Sequence, residues 1–440
     1  MKFAPRTGFG AGPLNHLRTH LAVGAATLAT KASQISGRGS GGMIGGLVAE
    51  KIDPNIMANL SGGRPVALVT GTNGKSTTTR MLASAVRTQH RVATNEGGDN
   101  MDAGIISALM AGANATHVVL EVDELHVPAV ADRLNPKVLV LLNLSRDQLD
   151  RVGEINKIER TLRECVRKHP EMTVVANCDD VLITSVAYSA KNVIWVAAGG
   201  GWLGDSVSCP RTGGHIVHEG EHWYAAKPLP TGERFERPTP DWVITSDGIL
   251  SPHGKTSDEV ASAMPIPLNL KLPGNANRGN ATQAVAAAVA GFDIPLEQAV
   301  RAVEQVDDVA GRYSTIQLGE HQVHLLLAKN PAGWQEALSM VDRSAEGLVV
   351  AVNGQVADGE DLSWLWDVKF EDLSSLAVKA AGERSTDLAV RLTYAEVEHE
   401  LIADPLAAIR ACPPGRVEVL ANYTAFRDLK KALLQAAKEA

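Results

Sequence analysis

From Pro65 to about Thr88 the chain passes from a β-branched run, PVALVT, through Gly71-Thr72-Asn73-Gly74-Lys75-Ser76-Thr77, into a helical stretch that starts at Lys75. A strand, a glycine turn and a helix in that order bring several backbone N–H groups and the positive end of a helix dipole to one point. That is how a chain cradles phosphate oxygens. Lys75 is expected to reach the β- and γ-phosphates of a nucleotide, and the Ser76 hydroxyl to hold Mg2+. The general phosphate-loop pattern wants another glycine five residues before Gly74, where Val69 stands. The strict pattern therefore fails while its mechanics survive. The bland alternative, a chance Gly-Lys-Ser turn, is weakened by its placement between a β-run and a helix.

Further strand-like runs follow at His117–Val122, Val138–Asn143, Thr173–Ala176 and Val193–Val196, most with helical patterns between them. Continuous apolar runs of this kind mark parallel strands covered on both faces, so the fold class is α/β. Before them, residues 1–60 read as helical patches around a glycine-rich loop, Gly37–Gly46. The stretch from about Gly204 to Asp247, rich in Gly, Pro and His, reads as an inserted loop or small β-unit. Ala281–Ala290 reads as a helix capped by Asn280. From about Ser314 the β/α alternation restarts, with strands expected at Val323–Leu327, Leu348–Val352 and Asp387–Leu392 and a helix to Ala440. The division that follows is 1–60, a helical N-terminal segment; 61–313, a nucleotide-binding domain; and 314–440, a second, Rossmann-like α/β domain.

At 440 residues the chain is too long for one hydrophobic core. A net charge of −8 leaves no basic stripe for nucleic acid. There is no run of about 18 apolar residues, so no integral membrane protein is expected. Leu21–Leu28 follows Lys2, Arg6 and Arg18, but Thr19, His20 and Thr27 dilute it and Lys31 follows closely, which argues against a signal peptide. Cys165, Cys178, Cys209 and Cys412 form no C-x-x-C pair, which fits a reducing, cytoplasmic setting.

Acidic and amide groups gather where strands of such a sheet end. Glu121, Asp123 and Glu124 end one run; Asn143, Arg146, Asp147, Asp150 and Arg151 follow another. Ligands of doubly wound sheets collect at those carboxyl ends, and Glu121 is the expected Mg2+ ligand beside the nucleotide. Taken one at a time, such acids are more often solvated loop charges.

GTNGKST, Asn95-Glu96-Gly97-Gly98, LEVDE at 120–124, NLSRDQLDR at 143–151 and Gly274-x-x-Asn277-x-x-Asn280 follow one another in the order that resembles the Mur ligase superfamily. Details resemble its MurT branch. No UDP-binding N-terminal domain is evident, and Gln148 stands where other members have the histidine of D-H-L-D. The run from Ala357 to Asp367 (ADGEDLSWLWD) is similar to the branch's A-D-G-x-D-x-S-W pattern, and Lys329–Gly333 and Asn422–Thr424 also look like it. The resemblance covers about residues 60 to 430.

What the resemblance implies is a ligase of peptidoglycan biosynthesis, a lipid II isoglutaminyl synthase subunit. ATP would phosphorylate the α-carboxylate of D-glutamate in the lipid II stem peptide, and ammonia would then give D-isoglutamine. The ammonia would come from glutamine through a GatD-like class I glutamine amidotransferase subunit, at the inner face of the membrane. Lys75 and Glu121 would act on the transferring phosphate, Asn277 and Asn280 would approach the nucleotide base, and Arg312 would lie near the nucleotide. Asp361 would complete, in trans, the partner's Cys–His site. From the residues alone, an acidic loop flanked by tryptophans suits an interface, and equally an acidic surface loop over buried tryptophans.

Members of this branch commonly carry a four-cysteine zinc ribbon in the central domain. Here only Cys209 remains between about 205 and 245, so a four-thiolate site is impossible and a metal-free remnant is expected. The other reading is an improvised site from Cys209 with His215, His218 and His222. Residues 1–60 are expected to cap the central domain, with membrane contact as the alternative. Two further function classes stay open: a stand-alone amide ligase of folylpolyglutamate or cyanophycin type, and a non-catalytic nucleotide-gated binding protein.

Overall fold

The computed structural model describes residues 13–35, 42–95, 98–145, 154–200, 206–250, 265–307, 313–359, 361–373 and 376–439. Two mainly parallel sheets organise them, each with helices on both faces. The first contains β1 (Val66–Thr70), β2 (Val92–Ala93), β3 (His117–Glu121), β4 (Val138–Leu141), β5 (Thr173–Asn177) and β6 (Asn192–Ala197). A separate hairpin, β7 (Ile216–Glu219) with β8 (His222–Ala225), follows; then β9 (Trp242–Thr245) and β10 (Gly248–Leu250) return to the first sheet. Its order is β10-β9-β6-β5-β4-β1-β3-β2, with only β10 antiparallel to its neighbour. The last residues of the stretch read as an insert are thus a sheet strand, because Trp242 and Val243 pair in parallel with Val196 and Ala197.

Strand β1 is buried along its whole length, between β3 and β4. Its run of Val, Ala and Leu suits a strand with no solvent face. The loop that leaves it therefore opens at the carboxyl end of the sheet, beside the ends of β3 and β4.

The second sheet contains β11 (Tyr313–Leu318), β12 (His321–Leu327), β13 (Gly347–Ala351), β14 (Val378–Ala381), β15 (His399–Leu401) and β16 (Gly415–Ala421). Its order is β11-β12-β16-β13-β14-β15, parallel except for β11. The strand expected at Asp387–Leu392 is instead inside a helix, Ser385–Tyr394. Leu388, Arg391 and Leu392 are buried on one face while Asp387 and Val390 face outward, a spacing of three and four that a strand cannot provide. Buried Arg391 satisfies its guanidinium on Leu365 O, Val368 O and Glu371.

Two other expectations change. The helix read from Ala281 starts six residues earlier, as Asn275–Phe292 with Gly274 at its N-cap, so Asn280 is a buried interior residue rather than a cap. The glycine loop Gly37–Gly46 is overrun: α2 (Gly42–Ile52) begins inside it, between α1 (Pro13–Ile35) and α3 (Ile56–Ser61). Glycine is needed at position 46 for contact rather than for flexibility. A Cβ there would overlap the Ala103 carbonyl of α5 (Asp102–Ala111), with α4 (Lys75–Arg87) the intervening helix of the chain. Ala22, Ala26, Ala49, Ile56 and Met57 join the core under β1 and β3, so the N-terminal helices pack on the first sheet's domain as the capping reading expects.

Candidate active site at the end of the first sheet

The loop after β1 is held by the end of β4. Thr72 N–H donates to Asn143 O at 2.9 Å, Asn73 N–H donates to Asn143 Oδ1 at 2.9 Å, and Asn143 Nδ2 returns a bond to Asn73 O at 3.0 Å. Ser145 N–H donates to Thr72 Oγ1 at 3.0 Å. The loop is thus fixed before any ligand arrives, so its N–H groups need little reordering to meet one.

Gly74 ends the loop with φ +85°, and a Cβ there would stand 2.5 Å from Asn280 Oδ1. Both the backbone angle and the close approach demand glycine. Helix α4 starts at the next residue with no side chain capping it. Its first N–H groups have no carbonyl partner within the helix, which leaves them for an anion.

The charged groups meet on this turn. Lys75 Nζ donates to Gly71 O at 2.6 Å and pairs with Glu124 at 3.3 Å, both side chains largely buried. Ser76 Oγ donates to Glu121 Oε2 at 2.7 Å. Glu121 is itself only 3% exposed and positioned from three sides. Asn95 bonds both its N–H and its carbonyl, and Asn100 Nδ2 donates to Oε1 at 3.1 Å. Asn277 and Asn280 are buried one helical turn apart on the Asn275–Phe292 helix, with Asn280 against Gly74.

Lys75, Ser76, Glu121, Gly74 and Asn280 are thus brought together. Glu124, noted in the sequence only as one of three strand-end acids, proves to be the partner of Lys75. Asn330 was not singled out as a site residue, yet it reaches the loop from the second sheet. Nothing in residue spacing announces a contact between positions 73 and 330. Arg312, the pair Glu96-Gly97, the run Arg146–Arg151 with Gln148, and Glu360 lie outside the described residues.

Asp361 sits about a domain away in sequence, on a loop of the second sheet's domain. Its carboxylate is exposed and accepts the Ser363 N–H at 2.8 Å, which holds it below the usual carboxylate range. The flanking tryptophans divide: Trp364 is buried and stacked on Trp334 at 5.4 Å, whereas Trp366 is 56% exposed beside exposed Tyr394. Asp358, by contrast, is occupied by the Thr424 N–H and hydroxyl.

Around Cys209 the structure has an apolar cluster of Val181, Cys209, Ile216, Trp223, Ala225 and Phe235. Trp223 Nε1 donates to Cys178 O at 3.0 Å. Among the described residues no group of three or more His, Cys, Asp or Glu side chains is placed to hold a metal. Burial pushes the Cys165 thiol up to about 11 and the Cys178 thiol up to about 12.

Comparison with known proteins places this geometry. The Mur ligase middle domain family matches residues 69–199 and the MurT ligase C-terminal family matches residues 327–426. The subunit MurT of lipid II isoglutaminyl synthase (glutamine-hydrolyzing) from Streptococcus pneumoniae is 28% identical over 91% of this chain and 94% of its own. Among solved structures, a pseudomurein peptide ligase type C from Methanothermus fervidus has a TM-score of 0.63 at 18% identity, covering 84% of this chain and 79% of that one. The MurF ligase of Thermotoga maritima in complex with ADP has a TM-score of 0.57 at 15% identity, covering 89% and 85%. At those identities the structures speak for the fold alone. The two matched segments hold the phosphate loop with Glu121 and the Asp361 loop respectively, and the chain belongs to the Mur ligase family, in its MurT branch.

Proposed function

We propose that the chain is the ATP-dependent ligase subunit of a glutamine-hydrolysing complex that amidates the D-glutamate of lipid II. In this reading residues 61–313 bind the nucleotide, 314–440 close over it, and the Asp361 loop meets a glutaminase subunit of the class I amidotransferase type. The α-carboxylate of D-glutamate attacks the γ-phosphorus of ATP and ADP leaves. Ammonia then attacks the acyl carbon, inorganic phosphate leaves, and a proton is lost to give the D-isoglutamine amide.

That chemistry asks the protein for positioning and charge neutralisation rather than for a strong base. The free N–H groups at the start of α4 face the phosphates. Lys75 exchanges Glu124 for the phosphate oxygens, and Asn277 and Asn280 line the base side. Ser76 and Glu121 fit a magnesium ion, because a hydroxyl and a carboxylate 2.7 Å apart are the hard oxygen donors that ion takes. Bound there, Mg2+ would neutralise charge on the phosphates. Among the described residues no helix is long and apolar enough to cross a membrane. In this reading the lipid-linked substrate is met at the inner face of the membrane.

The observation that carries this reading is that the Lys75–Ser76–Glu121 cluster and the Asp361–Trp366 loop occur in one chain that aligns nearly end to end with a MurT subunit. The test is to supply the purified chain with ATP, Mg2+, ammonium and a lipid II substrate. D-isoglutamine and ADP should form together, and glutamine should replace ammonium only when a glutaminase subunit is added. ADP release with an amino acid as acceptor, and none with ammonium, would point instead to a stand-alone amide ligase.

A further inference from the structure

The N-terminal helices are amphipathic the wrong way round for water. Toward the protein they turn small residues: Ala22 and Ala26 of α1, and Gly45, Gly46 and Ala49 of α2, are buried. Toward solvent they turn large ones. Leu17, Leu21 and Leu28 are exposed on α1, Leu28 to 71%, and Met43, Ile44 and Leu47 are exposed on α2. At 100° per residue, Leu17, Leu21 and Leu28 fall within about 40° of one another, opposite Ala22 and Ala26. Scattered exposed leucines need no explanation, but a repeated face does, since a surface helix normally buries that stripe.

Charge says what would cover it. Residues 1–60 contain Lys2, Arg6, Arg18, Lys31, Arg38 and Lys51 against only Glu50 and Asp53, a surplus of four positive charges in a chain whose net charge is −8. Both acids are engaged elsewhere: Glu50 faces Arg133 at 3.5 Å, and Asp53 is buried, accepting from Thr19 at 2.7 Å and from Asn59. Exposed Lys31 and Lys51 sit on the same outward faces as the leucines, with stems long enough to lie along an apolar surface while the ammonium reaches a headgroup.

We propose that the outer faces of α1 and α2 dock on an anionic lipid bilayer, lying in its interface without crossing it. This rests on the proposed lipid-linked substrate, and it assigns the surface that brings the ligase to that substrate.

The test uses the full-length chain and vesicles that contain no substrate. Wild type should co-sediment with phosphatidylglycerol–phosphatidylcholine vesicles and not with phosphatidylcholine alone. The triple variant Leu21→Ser, Leu28→Ser, Leu47→Ser should lose about tenfold or more of that binding while its thermal midpoint and its ATP binding stay unchanged, because all three side chains are already in water. Equal sedimentation of variant and wild type would overturn the proposal, as would wild type that ignores anionic vesicles. So would a finding that the substitutions abolish a homodimer, or the complex with the glutaminase subunit, and leave vesicle binding intact. A water-soluble, lipid-free substrate analogue separates this proposal from the functional one. The variant should amidate the analogue normally, and failure of wild type to do so counts against the function rather than the docking surface.

Discussion

The side-chain amides of Asn73 and Asn330 face each other across the two sheets, Asn330 Nδ2 3.3 Å from Asn73 Oδ1 and Asn73 Nδ2 3.4 Å from Asn330 Oδ1. One belongs to the phosphate loop. The other caps the Pro331–Met340 helix, where its Oδ1 also accepts the Gly333 N–H at 2.8 Å. The phosphate loop and the second sheet's domain thus touch through this pair of amides. Asn330→Asp separates the two roles. The carboxylate still caps the helix, but it cannot donate to Asn73 and it repels a triphosphate. The expected result is a KM for ATP raised about tenfold with a nearly unchanged thermal midpoint. An unaltered KM would mean that the amide pair has no part in nucleotide binding.

Lys75→Ala should leave a folded chain with amidation reduced on the order of a hundredfold to a thousandfold. The ammonium is held by Gly71 O and Glu124 in the nucleotide-free arrangement, and alanine removes the cation that would move from there to the phosphates. Circular dichroism and steady-state rates measured on the same preparation decide it. Activity close to wild type would take Lys75 out of the mechanism.

Glu121→Gln keeps one oxygen to accept from Asn100 Nδ2, turns its NH2 toward the Ser76 hydroxyl, which can accept from it, and removes the negative charge between them. The Mg2+ concentration for half-maximal rate should rise by about tenfold or more, with a smaller change in maximal rate at saturating Mg2+. A Mg2+ dependence identical to wild type would show that Glu121 is only a structural acceptor.

Trp223 tests the Cys209 subdomain. Its ring is 2% exposed, packs against Phe235 and donates to Cys178 O, so it occupies the middle of the apolar cluster. Trp223→Ala should cost about 3 to 5 kcal/mol in the stability of this unit. A chelator should not shift the wild-type melting curve, and elemental analysis should find no stoichiometric zinc. A chelator-induced drop in melting temperature would reveal a metal that the apolar cluster does not replace.

Much of this was legible in the chain, and the exceptions share a cause. The β1–Gly74–α4 unit could be read because its strand is uniformly buried and its turn chemistry is local, so neighbouring residues alone dictate it. The place of Glu121 beside the loop, at the end of its strand, could be read the same way, whatever ion it holds. The helix Ser385–Tyr394 could not, because DLAVRL is apolar enough for a strand. What decides is Arg391, whose burial is made tolerable by carbonyls of residues 365 and 368 that the local pattern does not reveal. Gly46 was misread as loop for the same reason. A glycine that permits helix contact and a glycine that permits a turn look alike until the partner, here Ala103, is in place. The Asn73–Asn330 pair likewise depends on the assembly of two domains.

Asp361→Asn is the sharpest test of the proposed partner site. The carboxylate is exposed and is bonded by Ser363 through its N–H and its hydroxyl, both of which an asparagine carbonyl can also accept. The loop should therefore keep its shape, and Trp366, exposed nearby, should still be available to a partner. What the amide loses is the charge that would orient and stabilise a protonated histidine in a glutaminase site. Glutamine-dependent amidation by the complex should fall on the order of a thousandfold or more, while amidation with free ammonium stays close to wild type, because the phosphate loop belongs to the other sheet. Asp358 is the control. Its carboxylate bonds the Thr424 N–H and hydroxyl, so Asp358→Asn should lower stability and both activities together. Near-normal glutamine use by the Asp361 variant would remove the residue from the partner's site and leave the loop with only its turn to hold.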